Sequence, residues 1–288
     1  MDYATGLQRA LEYIEQHLQD ETDISQIAKQ AACSPFYFQR IFGLLCGMTL
    51  GEYIRNRRLA IAGSELQNKD QKVIDIAFKY GYDSPESFTR AFTKFHGVTP
   101  TQVKKGNCKL RSFSPLSVNL ILKGGFIMNY KIVEKEAFCV LEKVSRHSVS
   151  DEKNKTSIPS FWSACHEDGT VRSLLQYTSD KTFVFGICYG QKGDQGTFEY
   201  SVAALCDVNM PAPAGFRKNL IPARTWAVFD CVGAMPNAIQ ELWHAIVSEF
   251  FPTAGYRPTF ELDIEAYTSG DMNAADYHSE IWVPIEKN

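Results

Sequence analysis

The sequence predicts two domains of different class: an all-α unit of tandem helix-turn-helix repeats, then an α+β domain. Three observations predict this. Apolar residues recur at helical spacing through the first hundred residues, one segment of that stretch recurs fifty residues later, and after Pro100 the pattern changes to short β-branched and aromatic runs. A length of 288 residues accommodates two domains.

Leu7, Leu11, Ile14 and Leu18 form the first helical stripe. The repeat follows. Ser34-Pro35-x-x-Phe38-x-Arg40-x-Phe42 recurs as Ser84-Pro85-x-x-Phe88-x-Arg90-x-Phe92, and Gly47-x-Thr49 as Gly97-x-Thr99. Ile27-Ala28 returns as Ile76-Ala77, so the second copy has one extra residue in its turn. Each copy reads as helix, turn, helix. The first helices are Ile24–Ala31 and Val73–Tyr80. Each second helix starts with a serine N-cap and a proline at the first helical position. Phe38, Ile41, Phe42 and Leu45 make a buried stripe, repeated by Phe88, Ala91, Phe92 and Phe95. Between the copies, Thr49-x-x-Glu52 is a capping-box start for a helix to about Leu66. Arg55, Arg57 and Arg58 suggest a basic side on this rigid spacer, which would hold the two reading helices about one DNA turn (~34 Å) apart.

The faces opposite the two buried stripes are free for a partner. They present Ser34, Phe36, Tyr37, Gln39, Arg40 and Gly43 in copy one, and Ser84, Glu86, Ser87, Thr89, Arg90, Thr93 and Lys94 in copy two. Arginine pairs with guanine edges and glutamine with adenine, while a helix N-terminus offers N–H groups to a phosphate. These residues are the expected contacts to double-stranded DNA, with Arg40 the foremost base contact. Glu86, one turn before Arg90, is placed to pair with it.

Residues from about Ile24 to Val103 resemble the AraC/XylS family DNA-binding domain. Besides the repeat, the resemblance rests on Gly51-x-Tyr53-Ile54-x-x-x-Arg58-Leu59 and Ile76-Ala77-x-x-Tyr80-Gly81-Tyr82. It implies a transcription regulator with two helix-turn-helix units on a long central helix, acting with RNA polymerase. In this family the first reading helix makes the firmer base contacts, and the acidic Glu86 weakens the case for the second.

Residues 107–128, with Pro115, serines and Gly124-Gly125, read as a connector between a DNA-binding domain at 1–106 and a second domain at 129–288. Expected strands there are Tyr130–Glu134, Ala137–Val144, Thr182–Cys188, Glu199–Cys206, Ala223–Val232, Thr259–Tyr267 and Glu280–Ile285. Expected helices are Ile158–Glu167 and Pro236–Phe250. Without regular βαβ alternation, this is α+β. Charge divides with the domains. Residues 1–123 hold 16 Lys+Arg against 12 Asp+Glu, a net +4, and the remainder 14 against 21, a net −7.

Aromatic residues are abundant beside carboxylates in the second half, among them Trp162, Phe185, Trp226, Trp243, Tyr267 and Trp282 with Glu261, Glu265 and Glu280. An aromatic cleft with a buried carboxylate suits an amphipathic cation. The expected effector-binding residues are Trp162, Phe185, Trp226, Glu261, Glu280 and Trp282. Alternation in the last strand puts Glu280 and Trp282 on one face, expected to point into the cleft. Met128–Glu134, Glu241-Leu242-Trp243, Phe251-Pro252, Phe260-Glu261 and Glu280–Ile285 are similar to the GyrI-like effector-binding domain. The resemblance implies two pseudo-symmetric β-α-β-β halves with a hydrophobic cleft between them. Some relatives are hydrolases using a Tyr/Glu pair, which leaves hydrolysis of a toxic compound as an alternative; a protein-docking domain without ligand is another.

No nucleophile–base cluster is legible, His147, His166, His244 and His278 stand alone, and eight scattered cysteines show neither a zinc nor a disulfide pattern. No catalytic residue, metal or cofactor is expected. No apolar run is long enough to span a bilayer, and residues 1–5 lack signal-peptide character, so the expected compartment is the cytoplasm.

Overall fold

A computed structural model of the chain describes residues 3–68, 70–106, 108–118, 127–148, 154–178, 180–190 and 197–288. Among the described residues, seven helices form the first half: α1 (Tyr3–Gln16), α2 (Ile24–Gln30), α3 (Pro35–Cys46), α4 (Leu50–Leu66), α5 (Val73–Lys79), α6 (Pro85–His96) and α7 (Pro100–Lys105). Local chemistry sets their ends. Ser34 Oγ accepts from Tyr37 N–H at 3.3 Å, and Ser84 Oγ from Ser87 N–H at 3.2 Å. Both reading helices stop at a left-handed glycine, Gly47 (φ 65°) and Gly97 (φ 77°), where a side chain would be strained. Thr49 and Glu52 close the capping box of α4.

Helix α4 belongs to two cores. Its first half packs Tyr53 and Ile54 with Leu11, Ile14, Ile27, Phe38 and Phe42. Its second half packs Leu59, Ala62 and Leu66 with Ile76, Tyr80, Phe88 and Phe92. The basic side expected of α4 is largely taken up inside the fold. Arg57 pairs with Glu15 of α1 at 2.7 Å, and Arg58 donates to the Leu18 and Asp20 carbonyls at 2.6 and 2.7 Å. Of the three arginines only Arg55 is exposed. Residues 108–118 of the 107–128 stretch also lie on this half, whereas Met128 packs on the core of the second half. Leu116 N–H donates to Tyr53 Oη at 3.1 Å, Val118 N–H to Gln8 Oε1 at 2.9 Å, and Phe113 packs on the first core. Gly124-Gly125 lie outside the described residues.

The second half contains β1 (Tyr130–Lys135), β2 (Phe138–Ser148), α8 (Asn154–Glu167), α9 (Thr170–Gln176), β3 (Phe183–Tyr189), β4 (Thr197–Cys206), β5 (Arg217–Ile221), β6 (Arg224–Val232) and α10 (Asn237–Ala245). A π turn at Ile246–Phe250 then leads into α11 (Phe251–Thr253), followed by β7 (Tyr256–Pro258), β8 (Leu262–Thr268) and β9 (His278–Lys287). All described pairings are antiparallel, in the order β1-β6-β9-β8-β3-β4-β2-β5, with β7 beside β9. The order exposes two β-α-β-β halves, β2-α8/α9-β3-β4 and β6-α10-β8-β9, joined where β3 meets β8. Helix α9 and strands β5 and β7 are not among the sequence-predicted elements. Each is short, and α9 starts at Gly169 without a side-chain cap, so the usual signals are missing.

The helices cover one face of the sheet. Trp243, Ile246 and Val247 pack on Phe229, Ile281 and Val283, and Cys165 and Leu174 pack with Leu141, Val202 and Ala204. The other face curls around its own core of Val140, Phe185, Trp226, Ile264 and Trp282. The ends of the sheet come together there, with Phe138 and Trp226 ring centroids 6.2 Å apart.

Candidate functional site: the interhelical cleft and the two reading helices

The cleft floor is where the halves join. Along β8, Leu262, Ile264 and Ala266 face the curled core, so alternation turns Asp263, Glu265 and Tyr267 to the helix side. Asp263 is almost completely buried, at 2 % side-chain exposure. Trp243 Nε1–H of α10 donates to Glu265 Oε1 at 2.8 Å, and Tyr267 Oη–H to Glu265 Oε2 at 2.8 Å. On the α8 side, Trp162 Nε1–H donates to Tyr200 Oη at 2.9 Å, and its ring stands edge-on to Tyr267 at 5.4 Å. Gly186 lies across from Glu265 in the β3–β8 register, and a Cβ there would sit 2.1 Å from Tyr200 Oη. Glycine thus makes room for this wall.

The cleft holds helix α3. Arg40 Nη1 lies 2.7 Å from Asp263 Oδ2 and Nη2 3.8 Å from Glu265 Oε1, and the guanidinium carbon sits 4.2 Å from the centroid of the Trp243 ring. Tyr37 Oη–H donates to the same Asp263 oxygen at 2.5 Å. Phe36 stacks on Phe198 at 4.1 Å, and Ile41 joins the α10 core. Burial opposes the Arg40 charge, but the neighbouring acidic groups, Asp263 foremost, outweigh it and raise the guanidinium pKa. Burial pushes the Glu265 carboxyl above its ordinary value, against the pull of Arg40.

The expected DNA-contact residues therefore separate into two environments. In copy one, Phe36 and Tyr37 are buried against the second domain and Arg40 is partly so, with Ser34 and Gln39 half-buried, whereas the sequence suggests a free outward face. In copy two, Glu86, Arg90 and Lys94 are exposed and Ser84, Ser87 and Thr89 half-buried. Among the described residues no ion pair joins Glu86 to Arg90.

Of the expected effector residues, only Trp162 reaches the cleft. Phe185, Trp226 and Trp282 lie in the curled core on the other face of the sheet. Glu280 and Trp282 do share a face, with Trp282 Nε1–H donating to Glu280 Oε2 at 2.6 Å, but Ile281 and Val283 take the helix side. Glu261 pairs with Arg224 at 2.7 Å, outside the cleft. Asp263, Glu265, Trp243 and Tyr267 are the cleft residues that the expected set omits. Their signal was present: two carboxylates and a tyrosine at alternate positions of one strand.

Known proteins match both halves. Residues 131–285 match the integron-associated effector binding protein family (Cass2), which is 155 of the 288 residues. The chain belongs to this family. Its residues 27–106 match the helix-turn-helix domain family. The transcriptional activator AarP of Providencia stuartii is 41% identical over 91 residues, covering 32% of this chain and 67% of that protein. The regulatory protein SoxS of Salmonella typhimurium is 36% identical over 104 residues, covering 36% of this chain and 97% of that protein. The integron-associated effector domain thus sits behind an AraC-type helix-turn-helix unit, the combination of a DNA-binding regulator with a small-molecule-binding domain. In fold, the second half is like the structure of SAV2435 bound to tetraphenylphosphonium. The TM-score is 0.50 at 21% identity, covering 55% of this chain and 94% of that one.

Proposed function

We propose that this regulator grips duplex DNA through α3 and α6 and that its cleft takes a lipophilic aromatic cation, which alters promoter occupancy and contact with RNA polymerase. The DNA contacts are Phe36, Tyr37, Gln39 and Arg40 on α3 with its N-cap Ser34, and Glu86, Ser87, Thr89, Arg90 and Lys94 on α6 with its N-cap Ser84. Residues 1–106 make the DNA-binding domain, 107–128 the connector and 129–288 the effector domain. The protein works beside its DNA, in the cytoplasm. One observation carries the ligand class: Asp263 and Glu265 project side by side into a cleft walled by Trp243, Trp162 and Tyr267. Buried carboxylates need a positive partner, and an indole face favours one that is desolvated. The fold's likeness to a protein seen with tetraphenylphosphonium supports the same class.

Calorimetry with tetraphenylphosphonium on the full chain tests this. Glu265→Gln is expected to weaken the cation by about tenfold or more and to leave a neutral triphenyl analogue unchanged; equal losses would remove the carboxylate from recognition. A second reading rests on the Tyr267–Glu265 contact of 2.8 Å, a Tyr/Glu pair suited to hydrolysis. Release of product from an aromatic ester, abolished in Tyr267→Phe, would favour it.

A further inference from the structure

The proposed cation site already holds a cation, and that cation is the arginine expected to read DNA. Arg40 has what an effector would require there: a carboxylate at 2.7 Å, a second at 3.8 Å and an indole face at 4.2 Å. The rest of the reading face is fitted to the cleft as closely. Tyr37 shares Asp263 with Arg40, and Phe36 stacks on Phe198. Gly190 shows how close the fit is. A Cβ at this position would lie 2.1 Å from Tyr37 Cε2, so only glycine lets the tyrosine ring seat. The positions fifty residues on, Glu86, Ser87 and Arg90, have no such seat; Glu86 and Arg90 are exposed.

We infer that Arg40 is an internal occupant of the effector cleft, so that an aromatic cation and the α3–cleft contact exclude one another and the cation releases the first reading helix to DNA. A reading helix must enter a major groove about 12 Å wide, which a helix packed against a sheet cannot do. The cation and the arginine need the same two carboxylates and the same indole face. Effector and DNA therefore favour the same open form, and each raises the affinity of the other by the same factor. This rests on the cation reading of the cleft.

The test uses the full chain, tetraphenylphosphonium as probe, and a duplex recovered from random sequence by selection with the probe present. Wild type, Gly190→Ala and Arg40→Ala are compared by calorimetry for the probe and by fluorescence anisotropy for the duplex. Gly190→Ala keeps every charge and blocks the seat of Tyr37, with its Cβ also 3.0 Å from the Phe260 carbonyl oxygen. It is expected to tighten both probe and duplex, by about a hundredfold if roughly one wild-type molecule in a hundred is open. Arg40→Ala is expected to tighten the probe and, at saturating probe, to bind the duplex more weakly than wild type does; saturating probe is expected to tighten the duplex for wild type far more than for Gly190→Ala. If the probe binds all three proteins equally and leaves duplex affinity unchanged, the exclusion is overturned while the cation reading stands. If the probe binds none of them, both fall. Circular dichroism on Gly190→Ala separates an opened chain from a misfolded one, and Arg40→Ala decides the question if that variant misfolds.

Discussion

Helices α3 and α6 start on the same Ser-Pro, end on the same left-handed glycine and bury the same phenylalanine pair, yet their outward faces have opposite environments. Both carry an arginine at the same step, Arg40 and Arg90. The difference lies in its neighbours. Phe36, Tyr37 and Leu44 stand where α6 has Glu86, Ser87 and Lys94. Apolar and aromatic flanks give α3 a surface that gains by leaving water, and the acidic cleft supplies the counter-charge for the arginine between them. Charged and small flanks leave α6 in solvent. One side chain thus acquires two roles from its surroundings, with no change in its own chemistry.

The largest expected effect lies under α3. Asp263→Ala removes the acceptor shared by Arg40 and Tyr37 and is expected to lower stability by about 2–5 kcal/mol. Glu86→Ala, on the open face of α6, is expected to stay within about 0.5 kcal/mol. Urea unfolding of the full chain measures both, and similar values would break the contrast. On DNA, Arg90→Ala is expected to cost about 1–3 kcal/mol with or without tetraphenylphosphonium, because α6 is already open. Arg40→Ala is expected to show a loss of that size only with the cation present. Anisotropy titrations under both conditions check this, and equal cation-free losses would refute the covered state of α3.

Where the two helices are locally alike, their responses should match. Gly47→Ala and Gly97→Ala each place a side chain at positive φ and are expected to cost about 1–2 kcal/mol, equal within error by urea midpoint. The smallest effect is a slope with pH. Burial raises the Glu265 carboxyl, with Arg40 and the bonds from Trp243 and Tyr267 opposing and Asp263 adding to it. Between an ordinary glutamate pKa near ~4.3 and the raised value, the folded chain holds a proton that the unfolded chain has lost. Stability from this group therefore falls as pH rises through that interval. Urea midpoints across it should fall less steeply in Glu265→Gln; parallel slopes would place the titration elsewhere.

The sequence by itself determined the local structure of this protein. Serine caps, proline starts, glycine stops and the repeated Phe stripe act within one or two helical turns, and each stands where its pattern says. The α+β character of the second half was equally legible, because alternation along a strand is a local property. Alternation separates Asp263, Glu265 and Tyr267 from Leu262, Ile264 and Ala266, and Glu280 and Trp282 from Ile281 and Val283, but it does not say which face the helices will cover. Only the tertiary structure decided that, putting the acidic residues of β8 under the helices and Trp282 in the curled core. It also decided the fate of Arg40, whose partner Asp263 lies 223 residues further along the chain. A contact of that span leaves no periodic trace, since it arises from the fit of two separately folded surfaces in which Phe36, Tyr37 and the bare backbone of Gly190 must come together at once.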